Sequence, residues 1–310
     1  MTSFKFTAYQ LPLAIVLFCT IVTHADDPDH STRQLGIVRD PEILEASGLA
    51  ISRNVENAIW MHNDSGDQPR LFLVAADGNT IAIVSLKGAE ANDWEDMCSF
   101  ELDGESWLLI GDIGDNARQR GLKSPTCRLY LIREPKLDSG RTMPVEITVD
   151  VVRTIEFQFP DGPHDCESLA VDTTSRTILL VTKSDPTDCA MYSLPLTLTK
   201  GSESVKAKSA TAIGATFATA MDISPDGRRL VIVSMFAGVM VTRDDPKLES
   251  WSSAVAKSVT VLTLPRRKQG ESVCFTADGA ALILNSEGAS QPLWHVALGP
   301  IGATSLPGKP

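Results

Sequence analysis

One short pattern recurs five times along this chain and limits its fold more than any other feature. In each copy a single residue heads a short apolar strand, which is followed by a turn and a second apolar strand. The heads are Ser47 in SGLAIS, Glu95 in EDMCSF, Glu167 in ESLAVD, Thr219 in TAMDIS and Glu271 in ESVCFT, spaced 48, 72, 52 and 52 residues apart. Three copies run into an Asp-Gly turn, at Asp103-Gly104, Asp226-Gly227 and Asp278-Gly279. Asp-Gly between apolar runs signals a hairpin, because both central residues of the tight turn take positive φ. A four-stranded unit returning every ~40–50 residues is the signature of a propeller blade. The expected fold is therefore all-β, a β-propeller of five blades, with a sixth blade hidden in the long second interval as the alternative. An irregular β-sandwich competes with it, but a sandwich does not predict five equivalent heads.

The strands can be read blade by blade. Blade 1 is SGLAIS with strands starting at Ala58, Arg70 and Thr80. Blade 2 is EDMCSF with strands from Ser106 and Cys127 and an outer strand near 145–159. Blade 3 is ESLAVD with strands from Thr177 and Ala190 and one near 207–213. Blade 4 is TAMDIS with strands from Arg229, Gly238 and Ser258. Blade 5 is ESVCFT with strands from Ala281 and Pro292, and it lacks a fourth strand. The run Gln34–Arg39 can supply it, closing the ring with a strand from the other terminus and removing an open edge. The expected organisation is one propeller domain over 34–300, preceded by a signal peptide (1–25) and a polar leader (26–33) and followed by a flexible tail (301–310).

The signal-peptide reading rests on Lys5, the apolar run Leu11–Val22 and the small-residue site Thr23-His24-Ala25. Its apolar run is short for a membrane span. The expected product is secreted or periplasmic after cleavage near Ala25, free of the membrane and monomeric. A net charge of −11 and a pI near 4.9, with no basic stripe, exclude nucleic acid as a partner and favour hard cations. Five cysteines follow the leader, Cys98, Cys127, Cys166, Cys189 and Cys274. An odd number leaves at least one thiol unpaired. A Cys166–Cys189 disulfide and a set of free thiols are both compatible with the sequence.

In a propeller, the approach to each first strand and the loop between strands two and three share one face. Collecting those residues gives Glu45, His62, Asn63, Asp64 and Asp67 from blade 1, and Asp93, Asp112, Asp115, Asn116, Arg118 and Arg120 from blade 2. Blade 3 adds His164, Asp165, Lys183 and Asp185, and blade 5 adds Asn285 and Glu287. Short polar residues are turn formers in any fold. The runs HNDSGD and GDIGDN nevertheless crowd several oxygen ligands into six residues. His62, Asp64, Asp112 and His164 are the candidate general bases, and Asn63, Trp94, Asp115, Asn116, Arg118, Arg120, Lys183, Asp185 and Glu287 the candidate ligand contacts. Trp60, Trp107 and Trp294 read as packing residues. The Asn63-Asp64-Ser65 sequon reads as coincidental.

The heads themselves, Ser47, Glu95, Glu167, Thr219 and Glu271, form an oxygen-only set converging on the axis. Three carboxylates so placed repel one another unless a cation neutralises them. Carboxylate-rich coordination suits Ca2+, and the absence of His/Cys ligand spacing disfavours zinc. A water-filled channel is the alternative. At these heads the chain resembles calcium-centred five-bladed propellers, among them the secreted calcium-activated nucleotidases (apyrases). The wider run SGLA…WMHNDSG…WED…GDIGDN…ESLAVD resembles exported propellers of the esterase-like phytase and SdiA-regulated groups, over most of 43–298. The resemblance implies the architecture and the axial ion. Thr219 departs from the Glu or Ser usual at its position, and no nucleotide-contacting residues match.

Two functions follow as expectations. One is a Ca2+-dependent hydrolase of a phosphoester, ester or lactone, the ion polarising a substrate oxygen and a mouth residue serving as base. No GxSxG or serine–histidine pairing supports a serine nucleophile. The other is a non-catalytic propeller that binds a peptide, glycan or small ligand, with the ion as a structural pin.

Overall fold

A computed structural model describes residues 32–123, 126–137, 144–185, 188–213 and 217–301. The expected signal peptide, residues 26–31 of the leader and the tail from 302 lie outside the described residues. Thr32 and Arg33, read as leader, already pair as strand.

Five sheets stand around one axis. Blade 1 holds β2 (Ala46–Ile51), β3 (Ala58–Asn63), β4 (Arg70–Ala75) and β5 (Thr80–Lys87). Blade 2 holds β6 (Trp94–Leu102), β7 (Glu105–Asp112), β8 (Cys127–Arg133) and β10 (Arg153–Gln158). Blade 3 holds β11 (Cys166–Asp172), β12 (Thr177–Thr182), β13 (Ala190–Pro195) and β15 (Lys208–Ala212). Blade 4 holds β16 (Ala218–Ile223), β17 (Arg229–Ser234), β18 (Gly238–Thr242) and β19 (Thr260–Leu262). Blade 5 holds β20 (Ser272–Phe275), β21 (Ala281–Asn285) and β22 (Pro292–Ala297), completed by β1 (Thr32–Ile37) antiparallel to β22. The inner strands β2, β6, β11, β16 and β20 each touch the next, and β20 touches β2, so the ring closes. The chain is a five-bladed β-propeller, and the donated N-terminal strand is in place.

Burial explains why the inner strands read as apolar runs and the outer ones as alternating. Every described side chain of β2, β11, β16 and β20 is buried, whereas the outermost strands show one face to solvent. The core is divided into five clusters, one between each pair of neighbouring blades. Trp60 and Trp107 lie inside two of them and Trp294 packs against a third.

The structure corrects four expectations. The single outer strand near 145–159 is two strands. β9 (Val145–Asp150) adds a parallel fifth strand to blade 1, and only β10 belongs to blade 2. A strand not expected at all, β14 (Gly201–Lys206), adds in parallel to β10, so blade 2 also has five strands. Together these account for the 72-residue interval without a sixth blade. Only Asp103-Gly104 is a turn with both residues at positive φ (55° and 79°); at the other two Asp-Gly pairs only the glycine is left-handed, φ 69° in each. All five cysteines are buried free thiols. Cys166 packs between blades 2 and 3 and Cys189 between blades 3 and 4, on opposite faces of one sheet, so they cannot bond.

A short helix, α1 (Trp251–Lys257), capped by Ser250, lies outside blade 4. It brings Trp251 over Arg243, whose guanidinium carbon stands 4.2 Å from the ring centroid. Arg243 also pairs with Asp172 through two bonds of 2.9 and 3.0 Å, fully buried, and this joins blade 4 to blade 3.

Candidate functional site

Strand pairing skips the head residue in four inner strands. The ladder breaks across Ser47-Gly48 in β2, Glu95 in β6, Glu167 in β11 and Thr219 in β16, while Glu271 stands just ahead of β20. A bulged residue is left out of the ladder and its side chain is re-aimed. All five heads are buried. The two hydroxyls spend their protons on neighbouring blades: Ser47 Oγ donates to the Glu95 carbonyl at 2.5 Å and Thr219 Oγ1 to the Gly270 carbonyl at 2.8 Å. They tie inner strands together, 1 to 2 and 4 to 5.

Two carboxylates that precede heads, Asp93 and Asp165, and Asp64 from blade 1 stand close to the heads Glu95 and Glu167. Glu95, Asp165 and Glu167 place oxygens within 4.8 Å of one another, and so do Asp64, Asp93 and Glu95. Glu95 is common to both sets; Glu271 is in neither, though its charge acts on Glu167 and Asp64. Glu167 Oε1 accepts from Lys183 Nζ at 2.5 Å, while its Oε2 is buried with no partner, as is Glu271 Oε1. Burial, then repulsion by Glu167, Asp64 and Asp93, holds the Glu95 carboxyl well above the usual range. Burial pushes Glu167 to about 8 even against the nearby Lys183. Burial, with the charges of Asp93, Glu287 and Glu45, lifts Asp64 to about 6. Asp93 and Glu271 are raised by burial as well. The backbone at Gly114 presses on this group: a Cβ there would lie 2.1 Å from Glu95 Oε1 and 2.6 Å from Asp93 Oδ2.

Much of GDIGDN serves the loop rather than a ligand. Asp112 accepts from Arg120 at 2.6 Å, from Asn92 and from the Asp93 amide. Asp115 caps the turn by accepting from the amides of Gln119 and Arg120, and its own amide donates to Asp165 Oδ1 at 2.9 Å. The loop thereby holds Asp165 in position. Asn116 and Arg118 remain exposed, Arg118 at φ 52°.

Several sequence candidates lie elsewhere than expected. His62 is fully buried, its Nδ1 bonded to the Asn63 carbonyl and its Nε2 against Gly48; burial lowers it to about 4, so it is a neutral core residue. Trp94 is also in the core, edge-on to His62 with its Nε1 donating to the Glu90 carbonyl, and offers no face to the mouth. Asp112 and Arg120 are buried against each other. His164 is held by Asp161 (3.0 Å) and Tyr192 (3.1 Å) beside Phe159. Asn63 accepts from the amides of Leu44 and Glu45 and donates to Asp67. Asp185 heads the loop after β12, where its carbonyl accepts from the Cys189 amide. Glu287 is half-buried, its carboxyl raised by burial and by Glu271. Asp64 and Lys183 join the carboxylates directly, and Glu287 acts on Asp64 by its charge.

Arg267 carried no signal in the sequence. Its Nε and Nη1 are buried without partners, and burial brings it down to about 10 against the opposing charge of Glu271. It sits in the run RRKQ with nothing periodic about it. Asp93 and Asp165 each stand two residues before a head, a pattern that would have exposed them as part of the cluster.

No family model matches the chain, and no curated protein was found similar to it. A solved structure described as a gluconolactonase from Xanthomonas campestris is similar to it at 11% identity, over 87% of this chain and 90% of that one, with a TM-score of 0.46. Likeness at that level bears on neither substrate nor metal.

Proposed function

We propose that this chain is an exported, metal-dependent hydrolase with a divalent cation, Ca2+ by its donor set, held by Glu95, Asp165 and Glu167. The observation that carries the reading is Glu167 Oε2, buried without a donor beside two further carboxylates. A buried carboxylate oxygen left unpaired is costly, and a cation removes that cost. All-oxygen, acid-rich coordination fits Ca2+ better than a softer metal.

Bound there, such an ion supplies a Lewis acid toward the carbonyl or phosphoryl oxygen of an ester, lactone or phosphoester. Lys183, one-quarter exposed, keeps one Glu167 oxygen in place and presents positive charge to an anionic substrate. Asp64, part-exposed like Asp93, takes a proton from the attacking water and returns it to the leaving oxygen. The Gly114 backbone keeps side chains out of the space between Glu95 and Asp93.

The test is thermal unfolding in chelator with calcium titrated back, beside Glu167→Gln. At a hundred times Kd, binding to the folded state alone adds about 2.7 kcal/mol, a rise of roughly 5 °C in a chain of this size. Glu167→Gln should abolish the rise. No response in wild type removes the reading; a response should be followed by turnover of at least one phosphoester, ester or lactone.

One observation favours a second reading, a binding propeller. Leu44, Leu122, Phe217 and Phe236 all occupy the mouth-side loops and each is more than half exposed. Such a rim suits a ligand with an apolar portion. Saturable ligand binding that raises Tm, with no turnover in the same screen, would place this reading first.

A further inference from the structure

We propose that the mouth binds two divalent cations, with Glu95 bridging them. The first lies among Glu95, Asp165 and Glu167, as above. The second, off the axis toward blade 1, takes Asp64, Asp93 and Glu95. This inference rests on the proposed metal dependence and extends it to a paired centre.

The geometry carries it. Each set brings three carboxylate oxygens within 4.8 Å of one another, and Glu95 is the shared member. A single ion satisfies one set and leaves the other a crowd of like charges. Glu95 is 3% exposed as a residue, and its carboxylate, shared by both sets, accepts no hydrogen bond from the described residues. Asp96, one residue on, behaves differently: its oxygens accept from the amides of Met97, Leu169 and Met221. Backbone donors thus supply the buried carboxylate beside Glu95 and not Glu95 itself. Side-chain cations act on the second set through space, Arg120 on Asp93 and Lys183 on Glu95, while their hydrogen bonds go elsewhere. Arg120 is turned to Asp112, and Lys183 binds Glu167. Asp67, close by in the same loop, is engaged by Arg70, which separates it from the second set. A carboxylate has two oxygens with lone pairs for two ions, and Asp64 can ligate with one oxygen while the other faces the mouth. Both ions would be hard cations of the Ca2+ type, since the second set also offers oxygen alone.

Gly114 belongs to the same design. Its backbone lies where any Cβ would strike Glu95 and Asp93 together. The second set therefore depends on glycine at this position for space.

The test is ion stoichiometry on the full chain, by calorimetry with Ca2+ and by electron paramagnetic resonance with Mn2+ as probe. Wild type should bind two ions, and two Mn2+ should show the exchange coupling of a carboxylate-bridged pair. Asp93→Asn should bind one ion and lose the coupling, Asp165→Asn should lose the other, and Glu95→Gln should weaken both. Gly114→Ala leaves every charge in place and should weaken the second ion at least tenfold, which guards against a variant that merely misfolds. Two uncoupled ions in wild type, or two ions retained in both Asp93→Asn and Gly114→Ala, would overturn the pair. One ion in wild type overturns the pair and leaves the proposed function standing; no ion overturns both.

Discussion

Asp222 is a buried carboxylate served by the backbone, its oxygens accepting from the amides of Ile223 and Phe275 at 2.8 Å each. Burial nonetheless lifts it to about 7. With the folded value above the unfolded one, this group's contribution is greatest in acid and is lost as pH rises from about 4 to 7. The penalty of Asp222→Asn should therefore be smaller at pH 8 than at pH 5, as read by urea unfolding at both. Arg243 makes a prediction of different size. Arg243→Met would strand Asp172 uncompensated in the joint between blades 3 and 4, at a cost of about 3–5 kcal/mol, visible as a shifted urea midpoint. At this scale the candidate site was partly legible. Glu95 and Glu167 announce themselves because they recur at the same place in a repeat. His62 misleads because a polar HND run reads as loop, whereas the residue is the last but one of a wholly buried strand. Ser47 and Thr219 share the heads' position and its bulge, but their hydroxyls donate to carbonyls of the neighbouring blade, a pairing that periodicity does not encode.

Strand existence was legible almost throughout, since propeller strands are short apolar runs bounded by Gly, Asp and Pro. Strand partnership was not. β9 reads as part of the outer strand of blade 2 because sequence neighbours usually pair, and β14 goes unread, yet each adds in parallel to the preceding blade. The alternating, half-exposed pattern of both strands fits an outer edge and does not say whose. The helix α1 escaped notice because a seven-residue segment gives too little periodicity to separate it from a loop. Closure by β1 makes the element-scale prediction. Deleting residues 32–37 strips the edge of β22 and should cost roughly 1 kcal/mol for each ladder bond lost, with aggregation from the bared edge. Urea unfolding and light scattering check it; a deletion that melts like wild type would mean β1 contributes nothing to closure.

For the molecule as a whole, the proposed ions touch blades 1, 2 and 3 through Asp64, Asp93, Glu95, Asp165 and Glu167, and touch neither blade 4 nor blade 5. Calcium should therefore slow amide hydrogen exchange most in β2, β6 and β11 and least in β16 and β20, measured by mass spectrometry with and without chelator. Equal protection in all five inner strands would argue for a global effect instead. The way the ring is stitched has a consequence for how it is made. β5 waits for β9, β10 for β14, and β1 for β22. A chain growing from its amino end therefore carries unfinished business at each step, and β1, the first described strand, finds its partner only when β22, the last described one, is complete. A copy that stops before β22 leaves β1 without its partner and the ring open.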